Sequence, residues 1–265
     1  MDQFPFEQKV LVILQLAALA MLCVKLRQNG LYRIYNFFYI YLLLEVTQGV
    51  ALSFVVPFNS LLYRDVYVVS EIVVLCSYVF VVLELYSIIL RDLEGIASIA
   101  KRYIKITLAF AIGLSLLPLK IEKTPTALTD YLFLFERPLM SSLFVFILLL
   151  AAFLVYYPIP IGRNVTIYLI GYAVFFMGQT VSILFFNNLG RVSNRWLSGA
   201  MMSISVLCLI FWNLGLSLRG EQKLVVTGYH WGPDQERKLL AQLEAINASL
   251  LRSSKKINAN EKRSL

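Results

Sequence analysis

"YIYLLLEVTQGVAL", Tyr39 to Leu52, sets an acidic residue, Glu45, near the middle of an apolar run of about twenty residues. A run of that length is what a helix needs to cross a bilayer, at about 20 residues per span. An acid at its centre costs about 2.5–3.5 kcal/mol on the insertion scale, so it is expected to face the inside of a helix bundle. The stretch therefore predicts both a class, an integral membrane protein, and an inward-facing polar position.

Composition agrees with that class. An ordinary soluble domain is roughly 45–50% apolar and about 25% charged. This chain of 265 residues is 59% hydrophobic and 15% charged, with a mean hydropathy of +0.72. Its net charge of +8 raises the question of nucleic acid. The basic residues, however, collect in certain loops and in the tail, as the positive-inside rule expects, and no nucleic-acid motif is present.

Walking outward from Glu45, the chain divides into seven apolar segments, at about 8–24, 34–56, 66–90, 104–119, 137–157, 164–187 and 196–217. The expected fold is an all-α seven-transmembrane-helix bundle over residues 1–218, followed by a cytoplasmic tail over 219–265. The first segment is expected to be retained as a span. Asp2 and Glu7 precede it instead of a basic cluster, and no small-residue cleavage site clearly follows it. Orientation comes from Lys and Arg. Lys9, Arg64, Lys120, Lys123, Arg137, Arg191 and Arg195 fall on one side. Lys25, Arg27, Arg33, Arg91, Lys101, Arg102, Lys105, Arg163, Arg219 and Lys223 fall on the other, ten against seven. The richer side is expected inside, giving an outside N-terminus, a cytoplasmic C-terminus and residence in the plasma membrane.

Pro138 suits the first turn of a helix. The fifth span is accordingly expected to start near Arg137, with 126–136 as a short interfacial helix or cap. One long helix from about residue 127 is the alternative. "YYPIPIGRN" (156–164) reads as an inner turn. Cys23, Cys76 and Cys208 lie within spans or at their ends, so no disulfide framework is implied. A lone His230 and scattered cysteines have no metal spacing, and no nucleophile–base pair or phosphate loop is visible. Neither an enzyme nor a cofactor is expected. A rhodopsin would need a lysine in the last span, which has none, and the receptor signature after the third helix is replaced by "LRDLEG" (90–95).

Helical periodicity then orients the polar residues, at about 100° per residue. Tyr41, Glu45 and Gln48 share a face. Ser70, Ser77 and Glu84 share another, with Glu71 about a quarter-turn away. Tyr168, Tyr172, Gln179 and Ser182 form a stripe on the sixth span, and Gln15 and Ser205 lie near mid-depth. These faces are expected to enclose a central polar site of Gln15, Tyr41, Glu45, Gln48, Ser77, Glu84 and Gln179, able to take a proton, a cation or a small ligand. The second span contains no Lys or Arg, so Glu45 is expected as a neutral acid hydrogen-bonded by Tyr41 and Gln48. Single polar residues in membrane helices also serve as packing contacts, at about 0.6 kcal/mol each. An outer ion pair of Glu71 with Arg137 is expected, in competition with Glu136 beside it.

In the tail, "DQERKLLAQLEAINASLLR" (234–252) reads as a helix, with 253–265 disordered. Leu239, Leu243, Ile246 and Leu250 alternate four and three apart, the seam of a helix that contacts a protein partner or a second copy. A helix lying on the inner leaflet, with Arg252, Lys255 and Lys256 near anionic lipid, fits the same residues. The function expected from these features is sensing or signalling through a buried polar site and a cytoplasmic helical tail. The alternatives are a transporter or channel for protons, cations or a small solute, and a structural subunit of a membrane complex.

Overall fold

The computed structural model describes residues 6–55, 60–91, 128–157, 160–189, 194–222, 224–226 and 233–261. The expected span at 104–119 lies outside the described residues. What is described is almost entirely helical. Helices α1 (Phe6–Gln28), α2 (Asn36–Val55), α3 (Ser60–Ile89), α4 (Leu128–Tyr156), α5 (Arg163–Leu189) and α6 (Asn194–Gly215) form the bundle. Short α7 (Leu218–Gln222) and long α8 (Pro233–Glu261) follow.

Among the described residues, four stretches are long and apolar enough to cross a membrane: Val10–Gln28, Tyr63–Ile89, Pro138–Tyr156 and Arg163–Ser182. Gly199–Gly215 is a shorter apolar helix. Large apolar side chains face outward around the bundle, among them Ile13, Met21, Val69, Leu149 and Leu207. In water such a surface would be a liability, whereas in lipid it has no cost.

The helices close a ring: α1 packs on α2, α2 on α3, α3 on α4, α4 on α5, α5 on α6, and α6 back on α1. The reversal between α1 and α2 follows from local chemistry. Lys25 and Arg27 sit in the last turn of α1, where cations suit the negative end of the helix dipole. Gly30 then takes φ 68°, the left-handed conformation that ends helices and that a residue with a Cβ resists. A single turn of 3-10 helix, Leu31–Arg33, leads into α2.

Three expectations change here. Helix α4 is continuous from Leu128 and holds Pro138 in its interior, so the separate cap over 126–136 and the start near Arg137 are corrected. Pro138 only removes the hydrogen bond that the Leu134 carbonyl would accept, and membrane helices tolerate that loss. The turn expected at 156–164 contributes a strand, β1 (Pro160–Gly162). It pairs antiparallel with β2 (Leu224–Val226), Ile161 opposite Val225. The tail helix runs on through Glu261 instead of ending at 252, because Lys255, Lys256, Ala259 and Glu261 are residues that readily continue a helix.

Candidate functional site

A cavity of about 370 Å³ lies between α1, α2, α3, α5 and α6. Helix α2 presents Tyr41, Glu45, Gln48, Gly49 and Leu52 to it, a set spaced by three and four residues and hence on one face. Helix α3 adds Tyr67, Glu71 and Tyr78, α1 adds Gln15 with Val12, Leu16 and Leu19, and α5 adds Phe175 and Gln179. Met201, Met202, Ser205, Leu209 and Trp212 of α6 complete the wall.

Several polar groups of this wall pair with one another, while the buried Trp212 Nε1 has no hydrogen-bond partner among the described residues. The Tyr78 hydroxyl donates to Glu45 Oε1 over a long 3.3 Å, and Tyr41 interacts with the same carboxyl. The Gln48 amide donates to Glu71 Oε2 at 2.9 Å. Across the cavity Gln179 Nε2 donates to Ser205 Oγ at 3.4 Å. The rings of Tyr41 and Tyr78 lie 5.0 Å apart, and Tyr78 also touches Phe175 at 5.6 Å. Among the described residues, no Lys, Arg or His lines the cavity.

Of the residues expected in a central polar site, Gln15, Tyr41, Glu45, Gln48 and Gln179 line this cavity. Ser77 and Glu84 are not, and their assignment is corrected. Ser77 is buried, and its hydroxyl donates within its own helix to the Val74 carbonyl at 2.6 Å. Glu84 reaches back to the start of α2 and accepts the backbone N–H groups of Phe37 at 2.9 Å and Phe38 at 3.1 Å. The first turn of α2 has no acid of its own, and the first N–H groups of a helix lack internal partners. Glu84 is therefore a cap supplied from a neighbouring helix.

Glu71 belongs to the cavity wall, with Gln48 as its partner. Glu136 of α4 stands within electrostatic reach of it, and the side chain of Arg137 lies outside the described residues. Tyr67, Tyr78, Phe175 and Trp212 had not been singled out for the site. A signal existed for some of them: Tyr67 and Tyr78 lie four before and seven after Glu71, and Trp212 lies seven after Ser205, all helical neighbours on one face.

Tyr168 and Tyr172, expected in the polar stripe, are fully buried beside the cavity in an aromatic column. Trp212 meets Phe38 at 5.2 Å, Phe38 meets Tyr168 at 4.8 Å, and Tyr168 meets Tyr35 at 5.2 Å. Tyr35 ends the column by donating its hydroxyl to Glu221 Oε1 of α7 at 2.6 Å. The same oxygen accepts from Asn164 Nδ2 at 2.9 Å. Asn164, fully buried, also donates to the Ser217 carbonyl at 2.7 Å and accepts the Ser217 N–H at 3.2 Å. This cluster ties the starts of α2 and α5 to the link between α6 and α7, beside the β1–β2 pair.

In the tail, Leu243 is 3% exposed within the single chain while Ile246 is 44% exposed. Part of the expected seam is therefore already covered, and Leu239 and Leu250 are half-buried. Compared with protein-family models, characterised proteins and solved structures, the chain matches none.

Proposed function

We propose that this chain is a seven-helix integral membrane protein that senses a ligand or ion in the buried cavity and signals through its cytoplasmic tail. In this reading α1 to α6 and the segment 104–119 are the spans, residues 1–218 form the membrane unit, and 219–265 form the tail. The N-terminus is outside, and the tail faces the cytoplasm of the plasma membrane. The ten-to-seven bias of basic residues supports that orientation.

The observation that carries the signalling reading is the aromatic column. It runs from Trp212 in the cavity wall through Phe38 and Tyr168 to Tyr35 and the Glu221 cluster. Glu221 lies just before β2, which leads into the tail helix. Packed rings resist continuous deformation, so a change at the cavity end is relayed as a shift between packed arrangements.

The test is amide hydrogen exchange of Leu224–Val226 in liposomes, comparing the native chain with Glu45→Gln. The substitution keeps the shape of the side chain and alters only its acid chemistry. Severalfold altered exchange at these distant strand amides, with proton and sodium flux no greater than in protein-free vesicles, is the expected result. Flux above that background with unchanged exchange would replace the sensor by a transporter. A stable co-purifying protein with neither response would make the chain a structural subunit.

A further inference from the structure

We propose that the cavity binds a small organic ammonium ion, a positive nitrogen carrying alkyl groups. The proposal names the ligand of the sensor reading and rests on it. Its first support is charge. Glu45 and Glu71 both line the cavity, and among the described residues no Lys, Arg or His lines it with them. Two carboxylates in one low-dielectric space repel when ionised, and a cation placed between them removes that repulsion. An anion would meet no cationic side chain among the described lining residues.

The second support is the kind of wall. Tyr41, Tyr67, Tyr78 and Trp212 line the cavity together with the two acids. Aromatic faces attract a diffuse, weakly hydrated positive charge, and rings around a quaternary ammonium are a recurrent arrangement. A hard metal ion asks for something else, a compact shell of about 6–8 oxygens at about 2.3–2.6 Å for calcium. Among the described residues no group of three or more His, Cys, Asp or Glu is placed to hold a metal ion. Gln48 already donates to Glu71, which orients that carboxylate without neutralising it.

The third support is size. At about 370 Å³ the cavity falls within the range of about 300–1,000 Å³ usual for small-molecule sites. That is far larger than a bare ion or a single proton acceptor requires. The apolar part of an alkylammonium matches the remaining apolar wall.

Calorimetry on the full chain in a mild non-ionic detergent tests this with choline, tetramethylammonium and phenethylammonium. The uncharged carbon analogue of choline, 3,3-dimethylbutan-1-ol, and sodium chloride serve as comparisons. At least one ammonium ion is expected to bind tighter than about 1 mM. The neutral analogue should bind at least about tenfold more weakly, and sodium should produce no saturable heat. Glu45→Gln and Glu71→Gln should each weaken the ammonium ion at least about tenfold.

Equal binding of choline and its neutral analogue overturns the proposal, as does the absence of binding by all three ammonium ions. The comparison on the native chain needs no variant, so it decides even if a substitution prevents folding. Strand exchange in Glu45→Gln is measured without ligand, so the sensor reading can stand when ammonium binding fails. Conversely, ammonium binding with unchanged exchange on ligand addition and in Glu45→Gln keeps the site and removes the sensor.

Discussion

Glu84 of α3 accepts the Phe37 N–H at 2.9 Å, so an acid of one helix caps the start of the helix before it. Together with the Phe38 N–H at 3.1 Å, this joins the two helices that hold the cavity acids. It also sets the rotation of α3 against α2, which brings Glu71 rather than Ser77 to the cavity. Glu84→Ala is expected to destabilise the chain by about 1–3 kcal/mol, the cost of leaving buried donors without acceptors. Glu84→Gln, which keeps one carbonyl acceptor, should fall between. Thermal unfolding in detergent, followed by circular dichroism, checks the order; a Glu84→Ala chain as stable as the native one removes the capping role.

Gly171 of α5 lies beneath the indole of Trp212. A Cβ there would stand 2.1 Å from Nε1 and 2.5 Å from Cε2 of that ring. A ring this deeply buried has no flexible end to give way. Gly171→Ala should therefore cost about 1–3 kcal/mol by overpacking and shift the tryptophan emission. An unchanged melting temperature and spectrum would show that α5 and α6 can separate freely at this level.

The Asn164–Glu221 cluster makes its own prediction. Asn164 holds both the N–H and the carbonyl of Ser217 as well as Glu221, whereas Tyr35 makes one hydrogen bond to Glu221. Asn164→Ala should cost more than Tyr35→Phe, the latter about 1–3 kcal/mol for a bond to a carboxylate. Both should speed amide exchange at Leu224–Val226. Gly220→Ala should resemble Asn164→Ala, since its Cβ would meet Asn164 Oδ1 at 2.1 Å. Exchange that is unaltered in all three variants would detach the β1–β2 pair from the cluster.

Orientation is checked by labelling single cysteines with an impermeant reagent in a cysteine-free background. Asn59→Cys should react in intact cells and Ser253→Cys only after lysis. Reaction of Ser253→Cys in intact cells inverts the topology.

The tail separates two kinds of apolar position. Leu243 is buried in the single chain and Ile246 is 44% exposed. Leu243→Asp should loosen the tail helix itself, read as faster amide exchange across 233–261. Ile246→Asp should leave that exchange unchanged and weaken crosslinking between tails or to a partner. If crosslinking persists in Ile246→Asp and the isolated 234–252 peptide binds anionic vesicles, the helix serves the membrane surface instead.

What the sequence by itself determined is local. Apolar runs of spanning length make helices because a backbone in lipid must satisfy its own hydrogen bonds, and Tyr41, Glu45 and Gln48 share a face because their spacing is helical. Tertiary structure alone decided which side of α3 faces the cavity. Ser70, Ser77 and Glu84 form one polar stripe and Tyr67, Glu71 and Tyr78 another, roughly a quarter-turn apart at about 100° per residue. Either stripe satisfies the pattern. The choice falls to contacts distant in the chain, above all the unpaired N–H groups at the start of α2 that draw Glu84 toward them. The β1–β2 pair was equally hidden, because each strand of three residues is too short to carry a period, and its ladder exists only once the bundle holds the two segments side by side.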